Sequence, residues 1–245
     1  MFSSLVALTV LENGRLRHED TRRKRRILAG VQTKRRLTTT AAIAGMVGPF
    51  LFGTVLVALT VIEYDFMFGI GWRPVADPAG AWPSGLALGP YGALLVASFV
   101  VSGLMLALFA AGLHAGATGG SGSPVGPALL FVAGIAMALM GFRTDPIQRT
   151  GPRTIHGLVH DLAFVLFVCA LLAAVFTLRR RFRAHPGWRP HANYTLATGM
   201  IAGSSLALQG AAYYLFIFTV LAWIEVSAIR LWRTRAGGPR PRRRR

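Results

Sequence analysis

TLATGMIAGSSLALQGAAYYLFIFTVLAWIEVSAI, residues 195–229, is a run of 35 residues interrupted by a single charged side chain, Glu225. One unbroken helix of that length would reach about 52 Å, against the roughly 30 Å of hydrocarbon that a membrane helix must cross. Within the run, GSSLALQG (203–210) carries glycine at both ends and Gln209 near its close, the composition of a tight turn between two helices. The run is therefore expected to fold back on itself, as a short span at 194–208 and a second at 211–231. That break fixes the parity of crossings, and with it the side of the membrane on which every loop lies.

Upstream stand four further apolar runs, at 41–62, 91–114, 125–142 and 155–178, the first three free of Lys, Arg, Asp and Glu. The expected fold class is all-α: an integral membrane bundle of six transmembrane helices over 41–232. A basic, partly disordered segment, 1–40, precedes it and an Arg-rich tail, 233–245, follows. Composition agrees, with 53% hydrophobic residues and only 15% charged, well below the quarter usual in soluble domains. Six crossings put 23 of the 27 Lys and Arg on one side, leaving only Arg73, Arg143, Arg149 and Arg153 on the other. Basic residues collect on the cytoplasmic side of short loops, so both termini are expected in the cytoplasm and the protein in a bacterial inner membrane.

Smaller signals fit this layout. Tyr64, Trp72 and Trp82 in the long outer loop, Tyr213 and Tyr214 at the start of the last span and Trp232 at its end are placed as aromatic belts. Ser98 with Ser102, and Gly199 with Gly203, are spaced for close helix packing. The lone Cys169 forms no internal disulfide and is expected as a small buried hydrophobe. The opening MFSSLVALTV does not pass as a signal peptide; a short interfacial helix or a misassigned start codon explains it equally.

The chemistry-bearing stretch is TIHGLVHDLAF, 154–164. His156 and His160 share a helical face, because four residues turn through about 400°. Such a pair is a usable geometry for zinc or a similar divalent ion if further ligands join it. Asp145 is the acidic group taken to complete that set; Glu63, Asp65 and Asp77 lie on the same side. In a metal-dependent intramembrane hydrolase, His156 and His160 would hold the ion and Asp161 would act as base or orienting group. Against this stands the plainer expectation that these groups hydrogen-bond to neighbouring helices or loop backbone, with Asp161 neutral or paired to Arg143 or Arg153. His114, at the end of the second span, is expected to cap it. A third reading, a proton-coupled transporter, would use Asp161 and Glu225. The favoured one is non-enzymatic, a lipid- or small-molecule-binding membrane module with an outward-facing polar pocket around His156, His160 and Asp161.

The basic ends, Arg22, Arg23, Lys24, Arg25 and Arg26 and then Arg242, Arg243, Arg244 and Arg245, are expected on anionic inner-leaflet lipid, at about 1 kcal/mol per residue. Nucleic acid is not the expected partner, since the charge lies in the tails rather than on a folded face.

Several stretches taken together resemble one family: GPFLFGTVLVALTVIEYDF, the loop GWRPVADPAGAWPSGLALGPYG, LLVASFVVSGLMLALFAAGLHAG, a TDP element and then HGLVH. In this order, over about residues 45–232, the chain resembles the bacterial domain-of-unknown-function 998 family of multi-pass membrane proteins. Asp145, Pro146, His156, Gly157 and His160 match its pattern, whereas Asp161 and the RTG insert before His156 depart from it. The resemblance implies a six-helix membrane domain with no established activity.

Overall fold

The computed structural model describes the backbone of residues 2–73, 82–116, 123–146, 151–208 and 212–236, and side chains from Arg22 to Thr234, Arg23 excepted. Regular structure among them is helical: α1 (Phe2–Ile62), α2 (Tyr64–Gly69), a 3₁₀ turn (Pro83–Leu88), α3 (Gly92–Gly116), α4 (Val125–Leu139), α5 (Ile155–Ala184), α6 (Arg189–Leu208) and α7 (Ala212–Ala236). The all-α class follows. Four helical stretches are long and apolar enough to cross a membrane: Lys24–Ile62, α3, α5 and Ala212–Thr234. The sequence led us to expect six crossings, and two of those segments fall short of that criterion for physical reasons. Helix α4 is apolar but only 15 residues long, because the chain turns at Met140–Gly141. Helix α6 opens on the polar RPHANY.

Contacts divide the chain into Met1–Leu37 and Thr38–Arg245. The first unit is helical backbone from Phe2; in it Arg22, Lys24, Arg25 and Arg26 are exposed, together with Ile27, Leu28 and Val31. Arg23 lies outside the described side chains, and Arg242 to Arg245, Asp77, Arg149 and Gln209 lie outside the described residues.

In the second unit consecutive helices pack as neighbours, α3 on α4, α4 on α5, α5 on α6 and α6 on α7, and α3 also meets α7. The Thr38–Ile62 part of α1 closes the ring: Ser102 donates to the Gly48 carbonyl at 3.1 Å, and Thr60 hydrogen-bonds Tyr214 at 2.9 Å. Glycine sets the tightest crossing. A Cβ on Gly103 would stand 2.4 Å from the Ala138 nitrogen, and one on Gly134 2.5 Å from the Ala107 nitrogen, so α3 and α4 touch backbone to backbone. The expected small-residue positions divide. Ser98, Ser102 and Gly199 pack inside, whereas a Cβ on Gly203 would meet nothing within 4 Å.

The outward faces are apolar too. Phe50, Leu94, Leu104, Leu162, Met200 and Leu215 are all more than half exposed. An apolar surface running round a whole bundle far exceeds the few hundred Å² of patch that a soluble monomer shows, and lipid is the solvent that suits it. Cys169 is a correction: it is exposed on this outer face of α5 rather than buried, where a small apolar side chain sits equally well.

Polar side chains secure the ends of the helices, whose last carbonyls and first amides have no partner within the helix. Arg181 is buried and donates to the carbonyls of His114 (3.1 Å) and Ser123 (2.9 Å), tying the end of α3 to the start of α4. The cation expected at that helix end is thus Arg181 of α5, with His114 supplying the acceptor. Pro186 and Gly187 stop α5. Beside them, ahead of the apolar part of α6, buried His191 hydrogen-bonds Ser227 at 2.8 Å. Burial, with Arg230 adding repulsion, pushes its pKa down to about 4.

Candidate functional site

Between the helices lies a cavity of about 730 Å³ that opens to the outside. Its body is apolar, walled by Phe52 and Leu56 of α1, Phe99 of α3, Met137 of α4, Phe167 of α5 and Val220 of α7. Native interiors hold few voids larger than a water molecule. Apolar walls give water few partners, so the shape suits a hydrocarbon chain.

At one end the cavity is lined by Ile70 and by Trp82 with the 3₁₀ turn that follows it, parts of the long loop of the sequence reading. Trp82 lies there between two walls, its ring 5.3 Å from Phe164 of α5 and 4.4 Å from Tyr213 of α7. Trp72 packs on Tyr64 and Tyr214 in the same way. These aromatics are therefore in contact across the top of the bundle. Glu63, buried as α1 ends, accepts from the Tyr91 amide at 2.6 Å and so fixes the chain entering α3.

The polar residues of the rim come from the α4–α5 connection, which carries the TDP element, and from the first turns of α5, which carry HGLVH. Thr154 is the N-cap of α5: its Oγ1 accepts from the Gly157 amide at 3.0 Å. The same hydroxyl donates to Asp145 Oδ1 at 2.6 Å, and the Thr154 amide donates to Asp145 Oδ2 at 3.0 Å. The carboxylate thus sits over the positive end of the α5 dipole. Gly157 makes room for it, since a Cβ there would stand 2.4 Å from the Asp145 carboxyl carbon.

His160 secures the other strand of this clasp. Its Nδ1 lies 2.9 Å from the Met140 carbonyl and 2.8 Å from that of Phe142. Carbonyls only accept, so Nδ1 carries the proton and donates to both, closing the C-terminal end of α4. His156 is exposed and lays its ring 5.4 Å from that of Phe142. The two histidines grip residue 142 from different sides, one by its ring and one by its carbonyl.

This geometry bears on the three groups of the metal reading, His156, His160 and Asp145. Both oxygens of Asp145 and one ring nitrogen of His160 already have partners. Among the described residues no three His, Cys, Asp or Glu side chains gather in a way that could hold an ion. Asp161 takes the second of the two arginine partners weighed from the sequence. Arg153 Nη1 stands 2.8 Å from Asp161 Oδ2, and both line the cavity rim with Thr144, Asp145 and His160. Glu225 of α7 is not among the lining residues. Arg181 and Glu63 were missed as structural anchors; the only signal available for either was a charge inside or beside an apolar run.

The family described as protein of unknown function (DUF998) matches residues 54–231. The chain belongs to this family. The matched stretch takes in the cavity walls named above except Phe52, the residues around Trp82 and the α4–α5 clasp, leaving most of the basic ends outside. No curated protein and no solved structure matches the chain. Family membership and the four apolar helices together make this a membrane protein.

Proposed function

We propose that this DUF998 member is a membrane module that binds a single-chain amphiphile, its hydrocarbon in the central cavity and its polar head at the rim. The observation that carries this reading is a cavity of about 730 Å³ that combines mostly apolar walls with a charged pair, Arg153 and Asp161, among its lining. That volume lies within the roughly 300–1,000 Å³ of small-molecule sites, which likewise combine apolar walls with a few polar groups. In this reading α1, α3, α4, α5, α6 and α7 all cross a bacterial inner membrane. Both termini then face the cytoplasm and the rim faces outward. Basic residues such as Arg25 and Arg243 rest on anionic lipid of the inner leaflet.

The test is binding of a fluorescent single-chain lipid to the purified full chain in detergent, compared with Met137→Trp and Val220→Phe, which fill the cavity from two different helices. Saturable binding by the parent, weakened at least about tenfold in both variants while they stay folded, is expected, tenfold corresponding to about 1.4 kcal/mol. A parent that does not bind, or filled variants that bind equally well, would overturn the reading. Sidedness is tested separately by a reporter fused after Arg245, expected active only in the cytoplasm.

A further inference from the structure

The rim has a charge pattern that selects among head groups. Arg153 and Asp161 lie at 2.8 Å with side chains 55% and 46% exposed. An ion pair so exposed is held weakly and exchanges partners readily. Each member also has unused capacity. A guanidinium offers five N–H donors and a carboxylate about four acceptor positions, and this contact uses one of each. Asp145, held by Thr154, brings a second carboxylate to the same rim.

Consider what each class of head would meet. A simple anion on Arg153 would displace Asp161 and leave that carboxylate unmatched beside it. A simple cation on Asp161 would leave the Arg153 charge beside it without its partner. An uncharged alcohol leaves the pair closed and gains little from it. A zwitterion can enter between the two and leave both charges matched. Arginine is suited to its anionic part, since the planar fork receives phosphate or carboxylate by two hydrogen bonds.

We infer that the ligand is a zwitterionic single-chain amphiphile, its phosphate or carboxylate on Arg153 and its primary ammonium on Asp161, the two residues opening their mutual ion pair to receive it. This rests on the cavity reading above and adds to it the head-group class.

The experiment measures dissociation constants of the full-length protein for three single-chain lipids of one chain length, by displacement of a fluorescent lipid. They are a monoacyl phosphoethanolamine, a monoacyl phosphoglycerol and a monoacylglycerol, bearing zwitterionic, anionic and uncharged heads. The zwitterion is expected to bind at least about tenfold more tightly than either of the others. In Asp161→Asn the zwitterionic and anionic phospholipids become equal within about twofold. In Arg153→Gln both fall toward the uncharged lipid. Because the readout is a ratio of affinities, a general loosening of the bundle would not reproduce it. Equal binding of all three lipids by the parent, or an unchanged preference in Asp161→Asn, would overturn the head-group inference while leaving the cavity reading intact. Binding of none of the three would overturn both.

Discussion

Replacing Gly157 by alanine should destabilise the protein even though alanine is the better helix former. Glycine costs a helix interior about 1 kcal/mol relative to alanine, so propensity alone predicts a gain. The added Cβ, however, would stand 2.4 Å from the Asp145 carboxyl carbon, and the carboxylate must move. Moving it breaks two hydrogen bonds to Thr154, at 3.0 and 2.6 Å, and withdraws a negative charge from the N-terminus of α5. Hydrogen bonds to a charged group contribute roughly 1.5–3 kcal/mol each, with the low end appropriate at this exposed site. Together they amount to about 2–4 kcal/mol, and the net loss is about 1–3 kcal/mol. At about 2–4 °C per kcal/mol, thermal unfolding in detergent should fall by roughly 2–12 °C. The decisive measurement is a double-mutant cycle. With the carboxylate gone in Asp145→Ala, Gly157→Ala should become neutral or stabilising by up to about 1 kcal/mol. The same loss in both backgrounds, or no loss in the parent, would refute the clasp.

His160→Ala leaves the carbonyls of Met140 and Phe142 without their donor and should lower stability by about 1–3 kcal/mol. The parent's unfolding temperature should be unchanged by a chelator; a drop on chelation would instead support the metal reading. Gly103→Ala drives a Cβ into the backbone of α4 and should cost about 1–3 kcal/mol, whereas Gly203→Ala, facing open space, should be neutral or gain up to about 1 kcal/mol in the same unfolding assay. His191 has a folded pKa of about 4 against an ordinary 6.5, so below pH 6.5 the unfolded chain takes up a proton that the folded one refuses. Stability should fall as pH drops from about 6.5 to 4, by up to about 3 kcal/mol; His191→Gln should flatten that slope in pH-dependent unfolding, and an unchanged slope would refute the assignment.

What could be read from the chain alone was whatever depends on composition and local pattern. The charge-free run at 41–62 lies within α1, and that at 91–114 lies within α3 from Gly92 onward, because their apolar side chains need lipid or one another, whatever else the chain does. The turn expected in GSSLALQG is only partly met: Gly203 to Leu208 continue α6, Gln209 and Gly210 lie outside the described residues, and α7 begins at Ala212. The DP and HGxxH elements were visible as marks of a family. Their roles were not, because a helix end is satisfied by whichever partner the tertiary fold supplies. His160 reaches a carbonyl 20 residues away, and Asp145 rests against a glycine whose missing side chain says nothing about its neighbour. The same spacing that suits two metal ligands here presents one histidine to a carbonyl and the other to an aromatic ring. The cavity was least legible of all, since its walls come from separate helices. Each contributes ordinary core residues, and only their mutual distance leaves a space among them.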